Sequence, residues 1–159
     1  MTSLQTDAMT DLQDPEVESP QRIVVGVDGS PLALVALDLA IKEARYRDAS
    51  LHITYAYPVM ASALTGSTGL DYYDQVEAEA RELVEGVKAQ APSTEGIDVQ
   101  WLAVPGNPSE VLIDACADAT LLIVGSRGLG GFMGLMMGSV STQCAHYSHC
   151  PVLIVRVDH

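Results

Sequence analysis

The sequence predicts an α/β fold: a doubly wound, five-stranded parallel sheet with about four helices on its two faces. Apolar runs of strand length alternate along the 159 residues with segments whose apolar positions recur every three or four residues. This alternation is typical of βαβ units, in which each helix crosses between two parallel strands. Hydrophobic residues make up 48% of the chain and charged residues 18%, so the composition favours a packed core and excludes wholesale disorder.

The first βαβ unit is marked by local signals at its turns. The β-branched run 22–28 predicts the first strand. Ser30 is a favourable N-cap and Pro31 a favourable first helical residue, which predicts a helix over 32–47. A second strand follows over 51–57.

The middle of the chain continues the alternation. A loop of small residues leads to an amphipathic helix over 71–91. The third strand, 97–104, alternates apolar and polar residues at its start, which is typical of an edge strand. Asn107 is the predicted cap of a short third helix that ends near Ala117.

The last elements determine the predicted topology. The fourth strand, 120–125, is apolar throughout and therefore central, and a glycine-rich loop over 126–137 leads to a helix over 138–146. The fifth strand covers 151–157. The simplest doubly wound order of these strands is 3-2-1-4-5. Such a sheet binds ligands where the winding reverses, here at the carboxyl ends of the first and fourth strands.

Charge and cysteine usage limit the function classes. The chain has 8 Lys and Arg against 21 Asp and Glu, a formal charge of −13, which argues against non-specific nucleic-acid binding. Residues 1–20 are acidic without a basic residue, so we expect a disordered acidic tail there and one domain over 21–159. Three widely spaced cysteines are not a disulfide framework. No signal peptide or transmembrane segment is recognisable, so we expect a cytoplasmic protein without membrane contact.

The glycine-rich loop predicts an anion-binding site. Gly125 and Gly128 are followed, after nine residues, by Gly138 and Ser139 at the start of a helix. Glycines let backbone N–H groups converge on an oxyanion, and the helix N-terminus attracts the same charge. The loop lacks the lysine of a Walker-type phosphate loop, and it does not follow the first strand as a dinucleotide fingerprint would.

Four further side chains accompany the loop. Ser139 and Ser141 offer hydroxyl donors, and Arg127 is the nearby cation. Asp28 ends the first strand at the same switch point, where it either contacts the ligand or caps the following turn.

Four segments together resemble the universal stress protein family: the glycine segment 125–139, the opening 25–30, the turn 104–108 and the closing 150–156. They occur in the family's order and spacing over residues 21–157. The resemblance implies a flavodoxin-like, adenine-nucleotide-hydrolase-like domain that is cytoplasmic and usually dimeric. Members with the Gly-x2-Gly-x9-Gly-Ser signature typically bind ATP.

The resemblance also implies a set of contacts with ATP, which would bring magnesium. Asp28 would meet the ribose or the phosphate-bound metal ion, Gly26 and Val27 would line the base site, and Ala56 would pack on adenine. The ribose and phosphates would be surrounded by Gly125, Ser126, Arg127, Gly128, Leu129, Gly130 and Gly131, and at the helix start by Gly138, Ser139 and Val140. The strand edge 152–157, from Val152 to Val157, would pair two subunits.

These observations favour an ATP-binding protein that acts as a nucleotide-dependent stress-response sensor or switch. A slow ATPase is the enzymatic alternative, although no general base or catalytic lysine for phosphoryl transfer is evident. Cyclic AMP and flavin mononucleotide are alternative ligands, and a ligand-free dimeric interaction module is the fourth possibility. Tyr72 and Tyr73, placed just before the second helix, either shield the core or lie over a base. We predict no metal site in the cysteine- and histidine-containing segment 144–150, because a helix end would splay the ligands.

Overall fold

The computed structural model describes residues 20–59, 67–130 and 137–157, with the side chains of 67–70 left aside. Most of the predicted acidic tail and Gly131 therefore lie outside the described residues, and the proposed division at residue 20 stays a prediction. In chain order the elements are β1 (Arg22–Gly26), α1 (Pro31–Arg47), β2 (Ser50–Tyr57), α2 (Ser67–Gln90), β3 (Val99–Pro105), α3 (Pro108–Ala115), β4 (Leu121–Gly125), α4 (Ser139–Tyr147) and β5 (Val152–Val155).

All strand pairs are parallel, and the sheet has the order β3-β2-β1-β4-β5. This confirms the predicted doubly wound topology, with β1 at the centre and β3 at one edge. In register, Gly26 of β1 lies beside Thr54 of β2, and Val25 lies beside Ile123 of β4. The carboxyl ends of β1, β2 and β4 consequently meet at one edge of the sheet.

Local capping signals place two of the helices as predicted. The Ser30 hydroxyl accepts a hydrogen bond from the Ala33 N–H at 3.2 Å, and Pro31 is the first residue of α1. The Asn107 side chain accepts a hydrogen bond from the Ser109 N–H at 3.0 Å at the start of α3. Both caps satisfy N–H groups that have no partner inside the helix.

The largest difference in an element boundary is at α2. This helix begins at Ser67, four residues earlier than the predicted start at 71, so Tyr72 and Tyr73 lie inside it. The sequence there offers several adjacent residues that can cap a helix, among them Thr65, Ser67 and Thr68, so the local pattern did not single out the start and misplaced it.

The core lies on both faces of the sheet and is mainly aliphatic. Alternate residues of β1 are buried on opposite sides, with Val25 packed in the cluster under α1 and Val24 in the cluster that includes Leu112 of α3 and Cys144 of α4. Helices therefore cover both faces, as a doubly wound sheet requires. Within the described ranges, no helix is both long enough and apolar enough to cross a membrane.

Candidate functional site

A cavity of about 460 Å³ opens at the carboxyl ends of β1, β2 and β4. This volume is typical of a small-molecule site, and the position is the predicted switch point. The cavity brings together most of the predicted site residues: Gly26, Val27, Asp28, Ala56, Gly125, Arg127, Gly128, Leu129, Gly130, Gly138, Ser139 and Val140.

Asp28 joins the two loops on either side of the cavity. Its Oδ1 accepts a hydrogen bond from the Ser30 N–H at 2.9 Å, which caps the turn after β1. Its Oδ2 accepts a hydrogen bond from the Leu129 N–H at 3.0 Å, 101 residues further along the chain. Of the two roles considered for Asp28, the cap of the turn is therefore confirmed, and contact with a ligand stays a prediction; the second oxygen holds the glycine loop, a contact that was not predicted.

Glycine is required at position 128 for space. A Cβ added there would lie 2.3 Å from Asp28 Oδ2, far inside any normal contact distance. Among the described glycines, positive φ angles occur at Gly29, Gly96 and Gly106, none of which lines the cavity. Close approach of the loop to the Asp28 carboxylate thus explains Gly128, whereas the sequence argument assigned the glycines to convergence of backbone N–H groups on an anion.

The N-terminus of α4 faces the cavity without a side-chain cap. Gly138 is the N-cap and supplies no acceptor, so the first-turn N–H groups around Ser139 and Val140 are left for a ligand or solvent. The positive end of the helix dipole adds to their attraction for an anion. This end of the cavity is chemically suited to a phosphate group.

Ser126 is not among the residues that line the cavity. It is buried, its N–H donates to the Val155 carbonyl at 2.8 Å, and its own carbonyl accepts from the Gly138 N–H at 2.7 Å. Ser141 lines the cavity, but its hydroxyl donates to the carbonyls of Ser126 and Gly138 at 2.9 and 3.1 Å. Both serines tie the loop to α4 and β5, so the expectation that the Ser141 hydroxyl is a donor for the ligand was wrong.

Sequence reasoning missed several residues of the cavity wall. Thr54 could have been found, because it lies two residues before Ala56 and successive odd or even strand positions share a face. Met137 belongs to the glycine loop itself, and the others come from helices and strands that the tertiary fold brings to the cavity. The missed lining residues are Ala33, Thr54, Tyr55, Pro108, Leu112, Val124 and Met137.

Four tyrosines, two on β2 and two near the start of α2, have distinct positions. Burial, and secondarily the charge of Asp28, raises the pKa of Tyr55, which lines the cavity as a neutral phenol. Burial also raises the pKa of Tyr57, as does its hydrogen bond with Tyr73. Tyr73 therefore contacts β2, and neither it nor Tyr72 is among the described residues that line the cavity.

The thiols of Cys144 and Cys150 have raised pKa values. Cys116 and Cys144 are fully buried, and all three cysteines are free. Burial raises the pKa of Cys144 to about 11. Burial and a hydrogen bond with Cys116 raise the pKa of Cys150 to about 12. In the part of the chain that the structure describes, no three His, Cys, Asp or Glu side chains are grouped so as to hold a metal ion.

Comparison with known proteins identifies the family. The model of the universal stress protein family matches residues 20–156. Universal stress protein YxiE of Bacillus subtilis is 31% identical over 146 residues, which cover 85% of this chain and 98% of that protein. Universal stress protein Rv2005c of Mycobacterium tuberculosis is 30% identical over 148 residues, and the match spans 90% of this chain but only 48% of that longer protein.

One solved structure adds information on a ligand of a relative. A universal stress protein crystallised in complex with cAMP is 33% identical, with a TM-score of 0.58 and coverage of 86% of this chain and 96% of that one. The strand order, the glycine loop at the switch point and these matches agree. The chain therefore belongs to the universal stress protein family.

Proposed function

We propose that the protein binds an adenine nucleotide, in the first place ATP, in the cavity at the carboxyl end of the sheet, and that occupancy acts as a switch. The observation that carries this proposal is the polarity of the cavity. At one end lie the glycine loop and the uncapped N-terminus of α4, and at the other, on β2, lies Ala56. A ligand with an anionic group and an apolar ring fits this division.

The apolar end would hold the base. Ala56 on β2 lies on the side of β1 away from β4 and its glycine loop. Leu112 of α3 lies between them, packed in one cluster with Val124 of β4. A nucleotide laid across β1 would therefore place its phosphates toward α4 and its base toward β2. Gly26 lies between the two ends, and its lack of a side chain lets Leu112 and Val124 pack closely against β1.

Magnesium would enter with ATP rather than bind to the protein first. Asp28 is the carboxylate that lines the cavity, and each of its oxygens already accepts a backbone hydrogen bond. Mg²⁺ keeps several waters and prefers phosphate oxygens, so the nucleotide would supply most of its ligands. The described lining residues include neither lysine nor histidine, so we propose binding rather than rapid hydrolysis.

A conformational change in the glycine loop would reach β5 through the hydrogen bond that joins them. Ser126 begins the glycine loop, and its N–H is hydrogen-bonded to Val155 of β5. β5 is an edge strand on which Leu153 is 36% exposed, and Val157 just beyond it is 45% exposed. We propose that the edge 152–157 pairs two subunits, so that a change in the loop would reach the interface.

Cyclic AMP is the second candidate ligand, because the relative that is 33% identical was crystallised with it. ATP and cAMP share the adenine ring and differ in the number of phosphates, so they would compete for one site. A titration with each ligand separates the two proposals.

The experiment has two steps. First, mass spectrometry identifies any nucleotide released when the purified protein is denatured, and we expect ATP at close to one per chain. Second, calorimetry and thermal unfolding of the emptied protein are measured with ATP and Mg²⁺ and with cAMP. If cAMP binds more tightly than ATP, cAMP becomes the proposed ligand. If the purified protein is empty and neither nucleotide stabilises it at millimolar concentration, the nucleotide proposal is overturned.

A further inference from the structure

The described wall of the cavity carries no net formal charge. Among its residues, Asp28 is the acid and Arg127 is the base. The other groups suited to a phosphate are dipoles, namely the first-turn N–H groups of α4 around Ser139 and the backbone of the glycine loop. These groups act at hydrogen-bond distance, and contacts that are partly buried are screened little by dissolved ions. The local attraction for an anion is therefore short in range and only weakly sensitive to salt.

The negative charge of the protein lies outside this wall. The whole chain has a formal charge of −13, and the described wall contributes none of it. Within the described residues, four basic side chains each pair with an acid about one turn away on the same helix: Lys42, Arg47, Arg81 and Lys88. Two more, Arg22 and Arg45, line a second cavity at the opposite edge of the sheet. Most of the basic residues are thus already neutralised locally or far from the nucleotide site.

Exposed acidic side chains also lie at the edge of the sheet that holds the nucleotide site. Glu110 is in the first turn of α3, whose residues Pro108 and Leu112 line the cavity. Asp74 comes one residue after Tyr73 of α2, which contacts the end of β2. Both carboxylates are exposed, and neither belongs to an ion pair in the described part of the chain. A ligand with several negative charges would therefore approach through a repulsive field.

We propose that nucleotide occupancy of this site increases with ionic strength. This inference rests on the proposed function and concerns the regulation of the same site. Salt shortens the range of the interaction between charges from about 30 Å at 0.01 M to about 8 Å at 0.15 M. Repulsion by the distant carboxylates is then largely screened, whereas phosphate contacts at about 3 Å with the N-terminus of α4 are retained. The dependence on salt is the reverse of that expected for a phosphate held mainly by lysine and arginine.

The test measures the Kd of ATP for the full-length protein by calorimetry, with KCl setting the ionic strength and the free Mg²⁺ concentration held constant. With the net charge spread at about 20 Å from the phosphates, Coulomb's law in water gives a Kd that falls about 10-fold or more between about 0.01 M and about 0.15 M ionic strength. Adenosine, which has the base and the ribose without a charge, is the control ligand. Its Kd should change by less than about 2-fold.

Two matched double variants test whether the effect comes from long-range charge. Asp74→Asn with Glu110→Gln removes two charges at the edge that holds the nucleotide site, and Asp98→Asn with Asp118→Asn removes two charges beside the second cavity at the opposite edge. At about 0.01 M ionic strength, the first pair should lower the Kd of ATP about 2- to 3-fold and the second pair by a smaller factor, because repulsion falls with distance. At about 0.15 M, both should bind ATP almost as the wild type does. Thermal unfolding without ligand checks that both variants are folded.

The outcomes separate this inference from the proposed function. If the wild type binds ATP with a Kd that is constant or rises with ionic strength, the inference is refuted and the nucleotide site stands. An equal strengthening of adenosine binding, or a first pair of substitutions that favours ATP no more than the second, would also refute it. If only cAMP binds, its single negative charge should still give a Kd that falls about 2- to 3-fold. If the wild type binds neither nucleotide at either ionic strength, both proposals fail together.

Discussion

Substitution of Gly128 by alanine is the sharpest test of how the glycine loop is held. The added Cβ would lie 2.3 Å from Asp28 Oδ2, and an ordinary contact needs about 3.4 Å, so the carboxylate or the loop must move by about 1 Å. The same Oδ2 accepts the Leu129 N–H at 3.0 Å, and a shift of this size would break that bond.

The expected magnitude follows from that one interaction. A hydrogen bond of this kind contributes about 0.5–1.5 kcal/mol, so displacement of the loop should raise the Kd of ATP about 3- to 10-fold. The backbone angle at position 128 is not in the left-handed region, so alanine adds no torsional strain there. The protein should therefore remain folded, with a change in the free energy of unfolding of about 1 kcal/mol or less.

Calorimetry with ATP and Mg²⁺, together with thermal unfolding, measures both effects. Gly86→Ala is the matched control, because a Cβ there meets no described atom within 4 Å and the position lies on α2, away from the cavity. Gly130→Ala makes the same change inside the loop, and because its Cβ also meets no described atom, its effect should be smaller than that of Gly128→Ala.

A double-mutant cycle identifies the contact responsible. If Gly128→Ala acts by displacing the carboxylate, it should cost much less affinity in an Asp28→Ala background than in the wild type. Unchanged ATP binding by Gly128→Ala, or strictly additive effects of the two substitutions, would refute the role assigned to this contact.

Three further predictions concern stability, chemistry and assembly. Asn107→Ala removes the acceptor for the Ser109 N–H at the start of α3 and should lower the free energy of unfolding by about 1 kcal/mol in urea denaturation. Asn107→Asp keeps an acceptor oxygen at this position and should retain most of the stability of the wild type. The thiols of Cys144 and Cys150, with pKa values of about 11 and 12, should react with a thiol reagent at pH 8 at least about 100-fold more slowly in the folded protein than in the unfolded chain. Above about pH 8.5 these thiols keep their protons in the folded state and lose them in the unfolded state, so the free energy of unfolding should fall as the pH rises from there. A free energy of unfolding that stays constant up to about pH 10 would contradict the raised pKa values of the two thiols. Leu153→Lys places a charge on the exposed edge of β5 and should shift a dimer toward monomer in analytical ultracentrifugation, and an unchanged dimer would exclude this edge as the interface.

Features with local causes were predictable from the sequence. Ser30 and Asn107 cap helices because their side-chain oxygens reach N–H groups two or three residues away. The strand order followed from the alternation of strands and helices, since right-handed crossovers leave few alternatives. The start of α2 was misplaced because several neighbouring serine and threonine residues could each cap the helix, and the local pattern does not choose among them.

The site was predictable in outline and not in its contacts. The position of the glycine loop after β4 indicated where a ligand would bind, since a doubly wound sheet opens there. The contact of Leu129 with Asp28 and the engagement of Ser141 by backbone carbonyls join residues from different loops and helices. No pattern within a single segment reports such contacts.

By itself, the sequence determined the fold class, the strand order and the loop that lines the cavity, because these depend on periodicity, caps and the handedness of the chain. The tertiary structure decided why Gly128 must be glycine and which serines are already bonded. These properties depend on distances between segments up to about a hundred residues apart. Such distances exist only once both faces of the sheet have packed and water has been excluded from the cavity wall.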